Sequence, residues 1–167
     1  MKSFLLSAGL LLLTYQLTFA QNDTRIGGKL MYGSEIETFG IGATAEIPIL
    51  DKLVIAPDIG FYFPKKEHGI KTNVFELNGN VNYYFVEEEN IGFYGLGGLN
   101  YTHVKAKIDN DVAGFSGSGS NGEVGLNLGA GANFHIGQGF LPFAEIKYVL
   151  GDFDQLVIAA GVKFNLD

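Results

Sequence analysis

Gln155-Leu156-Val157-Ile158-Ala159-Ala160-Gly161-Val162-Lys163-Phe164-Asn165-Leu166 separates by parity into two unlike faces. The even positions Leu156, Ile158, Ala160, Val162, Phe164 and Leu166 are all apolar, while the odd positions Gln155, Val157, Ala159, Gly161, Lys163 and Asn165 are small or polar. Successive side chains of a β-strand point to opposite faces, so this period of two marks a strand with one continuous apolar face.

The same split recurs outward along the chain. Between Gly122 and Ile136 one parity holds Val124, Leu126, Leu128, Ala130, Ala132, Phe134 and Ile136. Its opposite holds Glu123, Gly125, Asn127, Gly129, Gly131, Asn133 and His135. Between Asn73 and Phe85 the apolar set is Phe75, Leu77, Val81, Tyr83 and Phe85, opposed by Glu76, Asn78, Asn80 and Asn82. No helical period of useful length interrupts the pattern beyond residue 24, and Gly, Asp, Asn and Pro punctuate it.

The resulting segments are 24–33, 38–47, 53–63, 73–85, 91–104, 122–136, 141–150 and 155–166. Each is near or above the roughly 9 to 11 residues that a tilted transmembrane strand requires. In the fifth, Gly95, Gly97 and Gly98 blur the parity, and a bulge there would shift it. A soluble sandwich or lipocalin-like barrel turns its apolar face inward and coats the outside with charge. Here the polar parity is Asn, Gly and single charges, which suits a crowded polar lumen, and the apolar parity is nearly free of charge, as a lipid-facing wall requires. The expected fold is all-β, an eight-stranded antiparallel up-and-down transmembrane β-barrel, with a soluble exported barrel as the alternative.

The amino terminus agrees with export. Lys2 precedes an apolar run from Phe4 to Leu13, and the polar stretch after it ends in Thr18-Phe19-Ala20. That run is about half the roughly 20 residues of a membrane-spanning helix and has signal-peptide layout. Cleavage after Ala20 leaves a single domain over 21–167 with 10 basic and 18 acidic residues. Such acidity gives no support to nucleic-acid binding. The chain has no Cys, so no disulfide belongs to the fold.

Connections and aromatics supply two further tests. With both termini in the periplasm, 48–52, 86–90 and 137–140 are short periplasmic turns. Pro64 to Thr72 and the Gly/Ser-rich Lys105 to Asn121 are then the long outer loops, exposed on the cell surface. On the apolar parity Tyr32, Phe39, Phe61, Phe63, Phe75, Tyr101 and Tyr148 fall toward outer ends, and Tyr83, Phe85, Phe93, Phe134 and Phe164 toward periplasmic ends. Two lipid-facing aromatic belts are expected from this placement.

The closing segments, Phe143-Ala144-Glu145-Ile146-Lys147-Tyr148 and Ala160-Gly161-Val162-Lys163-Phe164-Asn165-Leu166, resemble those of the small outer-membrane barrels of the OmpX and OmpA transmembrane-domain type. The porin-like barrel domains common in Bacteroidetes are the nearest form of that resemblance. It covers the whole mature chain and implies an outer-membrane location and a carboxy-terminal strand read by the barrel-insertion machinery, although Asp167 follows Leu166 where many members end on an aromatic residue. It also implies envelope-stabilising or surface-adhesion roles, with lipid-modifying enzymes in a few branches.

An eight-stranded interior is just wide enough for side chains to fill. The polar parity points Arg25, Lys29, Glu46, Asp58, Glu76, Glu123, Glu145, Lys147 and Lys163 inward. Unpaired charges there are costly, so Lys29, Glu46, Asp58, Glu76, Glu145, Lys147 and Lys163 are expected to form a paired network that plugs the channel. Arg25 and Glu123, at strand starts, are expected at the rims. A catalytic alternative would assemble His103 with Ser116, Ser118 or Ser120, but no spacing motif supports it. His135 reads as a lumen residue and His68 as a loop residue. Asp109, Asn110 and Asp111 lack the rest of a calcium loop, and Gly114 to Gly122 lacks the Lys of a phosphate cradle. The expectation is therefore a monomeric, non-enzymatic barrel with a structural or surface-interaction role and no cofactor or metal, the alternative being a small-ligand or lipid binder, or a lipid-modifying enzyme, that uses the barrel mouth. Its partners are outer-membrane lipid, the insertion machinery and any surface molecule met through 64–72 and 105–121.

Overall fold

The computed structural model describes residues 24–67, 70–109, 116–137 and 139–166; the expected signal peptide lies outside them. Eight antiparallel strands follow one another in chain order: β1 (Arg25–Gly33), β2 (Thr38–Leu50), β3 (Leu53–Glu67), β4 (Ile70–Glu87), β5 (Ile91–Asp109), β6 (Ser116–Phe134), β7 (Phe140–Leu150) and β8 (Gln155–Asn165). β8 pairs back onto β1, from Arg25↔Asn165 to Gly33↔Val157, so the sheet closes into a barrel with no free edge along that seam. Closure satisfies the backbone groups that an open sheet would leave unpaired.

The alternation read from the sequence is the alternation of burial. Odd positions of β1, β6, β7 and β8 and even positions of β2, β3, β4 and β5 face the lumen, except in β3 beyond the register shift between Tyr62 and Lys65, where Lys66 joins the outward set opposite Lys71. The outward set is large and apolar, with Val124 70% and Leu128 57% exposed. In β5 the register with β6 runs unbroken from Ile91↔Phe134 to Asp109↔Ser116, so Gly95, Gly97 and Gly98 do not shift the parity. The bulge in that region lies between β4 and β5 at Tyr84/Val86, nearer the barrel end.

At the proximal end, where Arg25 pairs with Asn165, the connections are 51–52, 88–90 and 135–139. The distal end differs from expectation. β3 and β4 continue through most of 64–72, with Lys65↔Thr72, Lys66↔Lys71 and Glu67↔Ile70 paired. β5 and β6 likewise pair from Lys105↔Ser120 up to Asp109↔Ser116, so much of 105–121 is strand and not loop. The rest of both stretches, including His68, Asn110 and Asp111, lies outside the described residues. Gly and Ser carry almost no strand signal of their own. What orders Ser116–Gly122 is its partner, the longer side chains of β5.

Because β2 pairs with β3 only as far as Gly40↔Tyr62, and β6 with β7 only from Leu126↔Leu150, the β3–β6 wall rises beyond the others as a four-stranded distal sheet. One margin of that sheet is tied down: Thr38 Oγ1 donates to the Phe63 carbonyl at 3.4 Å, and Lys65 Nζ donates to Glu37 at 2.6 Å. The opposite margin, Ser116–Gly125, has no partner on its β7 side among the described residues.

Candidate functional site

The lumen is packed in three tiers of polar side chains. In the proximal tier Lys163 on β8 reaches Glu46 on β2 at 2.7 Å, and Arg25 approaches the other Glu46 oxygen at 3.4 Å. Tyr84 OH and Asn82 Nδ2 also donate to Glu46, at 2.9 and 3.4 Å. Lys163 donates a second bond to Asn133 Oδ1 at 3.0 Å, and Asn133 Nδ2 donates to Tyr84 OH at 2.6 Å. The ammonium also sits 4.2 Å from the Phe143 ring centre and 5.1 Å from that of Tyr94, within cation–π range.

The middle tier is held by Asp58. It accepts Lys29 at 3.1 Å, Asn78 at 2.8 Å and Asn80 at 3.2 Å. Asn127 on β6 donates to both Asn78 and Asn80, at 2.8 and 2.7 Å, while Asn100 donates to Asn78 at 2.8 Å and accepts from Thr102 at 2.7 Å. Glu145 accepts Tyr94 OH at 2.9 Å and stands 4.0 Å from Lys29. In the distal tier Glu76, with no exposed surface, accepts Lys147 and Tyr62 OH at 3.2 Å each and also Gln155 Nε2. Beside it Met31, Ile36, Val74, Val149, Val157 and Ala159 form an apolar cluster, with Val104 and Phe153 against it.

Lys29, Glu46, Asp58, Glu76, Glu145, Lys147 and Lys163 thus all lie in the lumen, joined wall to wall. With Arg25 the charges number four acidic and four basic, so the interior carries no net charge. A lone charge in such surroundings would cost several kcal/mol, of order 3 to 5 when one partner of a buried pair is removed. Reciprocal pairing, with amide and phenol donors filling the remaining lone pairs, is what makes the bore tenable. Glu123 sits half-buried toward the distal rim and accepts from Asn121 at 2.6 Å.

The glycines of the polar parity make room for these long side chains. A methyl group on Gly161 or Gly42 would first meet the backbone of a neighbouring strand, at the carbonyl of Gly28 or Ile59, whereas one on Gly60 would meet a side chain, Met31 Cε at 2.6 Å. Tyr94 lies against Gly131 in the same way. Small and large residues face each other across neighbouring and next-neighbouring strands, which lets long side chains share a narrow cylinder.

Around the outside, Phe39, Phe61, Phe63, Phe75, Tyr101 and Tyr148 lie toward the distal end on the outward parity. Tyr83, Phe85, Phe93, Phe134 and Phe164 lie toward the proximal end. Phe61 packs on Phe75 with centroids 5.0 Å apart, Phe85 on Phe93 at 6.5 Å, and Phe140, which the sequence reading passed over, on Phe164 at 5.9 Å. That reading also passed over Tyr62, Tyr84 and Tyr94, aromatics that face inward as hydrogen-bond donors. Their signal was their place on the polar parity of β3, β4 and β5.

The catalytic alternative is not assembled. His103 faces outward beside Phe75 and Gly122, and among the described side chains no hydrogen bond joins it to a serine. Ser118 and Ser120 lie opposite Lys107 and Lys105. His135 begins the proximal connection after β6, with its amide donating to the Asn90 carbonyl at 2.9 Å. Among the described residues no group of three His, Asp or Glu side chains is placed to hold a metal. A cleft of about 210 Å³ opens at the distal mouth, between the 34–37 turn and the distal sheet, lined by Glu35, Ile36, Thr38, Tyr62, Val74 and Phe153.

Comparison with known proteins places this architecture. The amino-terminal barrel domain of OprF from Pseudomonas aeruginosa superposes with a TM-score of 0.67 at 20% identity, covering 87% of this chain and 98% of that one. The neisserial surface protein A matches with a TM-score of 0.65 at 16% identity over 86% and 96%. The attachment invasion locus protein Ail of Yersinia pestis matches at 0.58 and 17% over 86% and 97%. A search of the curated proteins returned no match. A family model described as the outer membrane protein beta-barrel domain matches residues 5–166. Near-complete coverage by that model, on a closed eight-stranded barrel with an apolar exterior, makes this chain a member of the outer membrane protein beta-barrel domain family, integral to the outer membrane.

Proposed function

We propose that the protein is a closed, monomeric, non-enzymatic barrel that reinforces the outer membrane and holds a rigid distal sheet above it. The observation that carries this reading is the lumen, where Glu46–Lys163, Asp58–Lys29 and Glu76–Lys147 span the bore at 2.7, 3.1 and 3.2 Å beside an apolar cluster. A solute would have to break each pair in turn, and each break exposes a buried charge. The role is passive. The barrel meets lipid through its wall, enters the membrane through the insertion machinery that reads its final strands, and faces the periplasm with its proximal end.

A surface-interaction role fits the distal end. Relatives of the same fold include proteins named for attachment and for the cell surface. In this chain the described part of that end is paired strand, 65–67, 70–72, 105–109 and 116–121, so recognition through 64–72 and 105–121 would draw on the distal sheet as well as on the connections between its strands. Planar-bilayer recording tests the closed state: the folded, purified protein is expected to give no steady conductance. A large, stable open level would overturn both the plug and the passive role.

A further inference from the structure

Basic residues are few and unevenly placed. Of eleven Lys and Arg, Lys2 lies in the expected leader, Arg25, Lys29, Lys147 and Lys163 are in the lumen, and Lys52 is in a proximal turn. The other five, Lys65, Lys66, Lys71, Lys105 and Lys107, are all on the distal sheet. Lys65 is bound to Glu37. The remaining four share one face: Lys66↔Lys71↔Lys107 form a row directly across three strands, and Asn73↔Lys105↔Ser120 form the row below.

Like charges directly opposite each other destabilise a sheet. Here no carboxylate among the described side chains pairs with Lys66, Lys71, Lys105 or Lys107 to offset that cost. An acidic chain that gathers its spare cations in this way has a face suited to anions.

We infer that this face binds the phosphate groups of outer-leaflet lipid. Its parity is that of the lipid-facing wall, and the row beneath is aromatic, Phe61↔Phe75↔His103. At roughly 3.3 Å per residue and a strand tilt of about 45°, Lys105 stands about 5 Å above that aromatic row. Lys71 and Lys107 stand about 9 Å above it by the same rise and tilt. The polar layer of a bilayer leaflet is about 5 to 8 Å deep, so the Lys105 row stands within it and the Lys71 and Lys107 row just above it, from which the flexible Lys stems reach down to headgroup phosphates. A soluble polyanion arriving from above would instead meet Glu35, Glu37 and Glu123 at the mouth. The inference stands apart from the closed lumen, whose test is conductance.

The test uses the folded barrel in phosphatidylcholine nanodiscs doped with bisphosphorylated lipid A or its dephosphorylated form, with retained lipid counted by native mass spectrometry. The parent is expected to retain the bisphosphorylated form about tenfold better at low salt, with the preference fading as salt screens it. K66Q/K71Q/K105Q/K107Q is expected to abolish the preference, while K52Q keeps it. Heat-shifted gel mobility checks that each variant has folded, and the two-lipid comparison on the parent needs no variant at all. Equal retention of the two lipids by the parent, or an undiminished preference in the folded quadruple variant, overturns the inference. So does binding of a sulfated oligosaccharide in discs free of lipid A without any lipid preference, which would assign the face to a soluble polyanion.

Discussion

Replacing Lys163 with Met removes the cation from the proximal tier while keeping a long apolar chain against Phe143 and Tyr94. Glu46, 1% exposed, then keeps only Arg25 at 3.4 Å, Tyr84 at 2.9 Å and Asn82 at 3.4 Å. Breaking a buried pair on one side costs about 3 to 5 kcal/mol, and the lost cation–π contacts are included in that figure. Because Arg25 gives partial compensation, a loss of about 3 kcal/mol is expected. Neutralising the orphaned carboxylate in K163M/E46Q leaves mainly the cation–π loss and imperfect amide bonding, about 1 kcal/mol. E46Q alone leaves Lys163 buried with only amide oxygens to accept it, at a cost of about 2 to 3 kcal/mol, so the coupling between the two sites comes to about 4 to 5 kcal/mol. Urea unfolding in lipid vesicles, followed by tyrosine fluorescence because the chain has no Trp, gives the four stabilities of the cycle. A coupling below about 0.5 kcal/mol would mean that water, not Lys163, solvates Glu46, and a hydrated bore is incompatible with a plug.

Other expectations follow from the wall and the rim. Leu128→Arg, on the outward face of β6, is expected to cost about 2 to 4 kcal/mol of folding stability in bilayers if it lies near the midplane, read from the same urea titration. Gly60→Val should overpack Met31 and cost about 1 to 3 kcal/mol, whereas Gly79→Val, facing outward with open space around it, should cost far less in a parallel titration. Lys66→Cys, in a chain with no cysteine of its own, should react with a membrane-impermeant maleimide on intact cells; labelling only after the outer membrane is opened would reverse the topology. The Lys65 bond holds the Glu37 carboxyl below its ordinary 4.5. A lowered folded-state pKa means that the tie is fully present above 4.5 and is lost as pH falls through the lowered value. Amide protection factors in the 34–37 turn, which are corrected for the pH dependence of intrinsic exchange, should accordingly fall at acid pH in the parent and be low at all pH in Glu37→Gln.

Parity was legible in the sequence because the two environments, lipid and polar lumen, select residues of opposite kind at alternate positions. β4, β6 and β8 declared themselves in this way, with Asn78, Asn80 and Asn82 against Leu77, Val81 and Tyr83. Strand length was not legible at the distal end. Ser116–Gly122 has no apolar parity to read, since outside the bilayer neither face of the sheet needs one, and its pairing with β5 is a property of the partner. The bonds themselves were hidden for a different reason: Lys163 and Glu46 are 117 residues apart, and which lumen groups meet depends on the register of closure. Ile36 was invisible as a member of the apolar cluster because it lies in a turn, outside any strand parity.

The matching of glycine to bulk inside the barrel also bears on how such a protein changes over generations. Met31 occupies the space that Gly60 leaves, and the Tyr94 ring the space that Gly131 leaves, so a larger residue at either glycine is penalised until its neighbour shrinks. Interior substitutions are therefore expected to be inherited as couples across neighbouring and next-neighbouring strands, whereas the apolar exterior drifts one residue at a time, since lipid conforms to whatever shape it meets. Two barrels of this kind can lose nearly all recognisable sequence likeness and still share a bore filled to the same density, each by its own set of small and large partners.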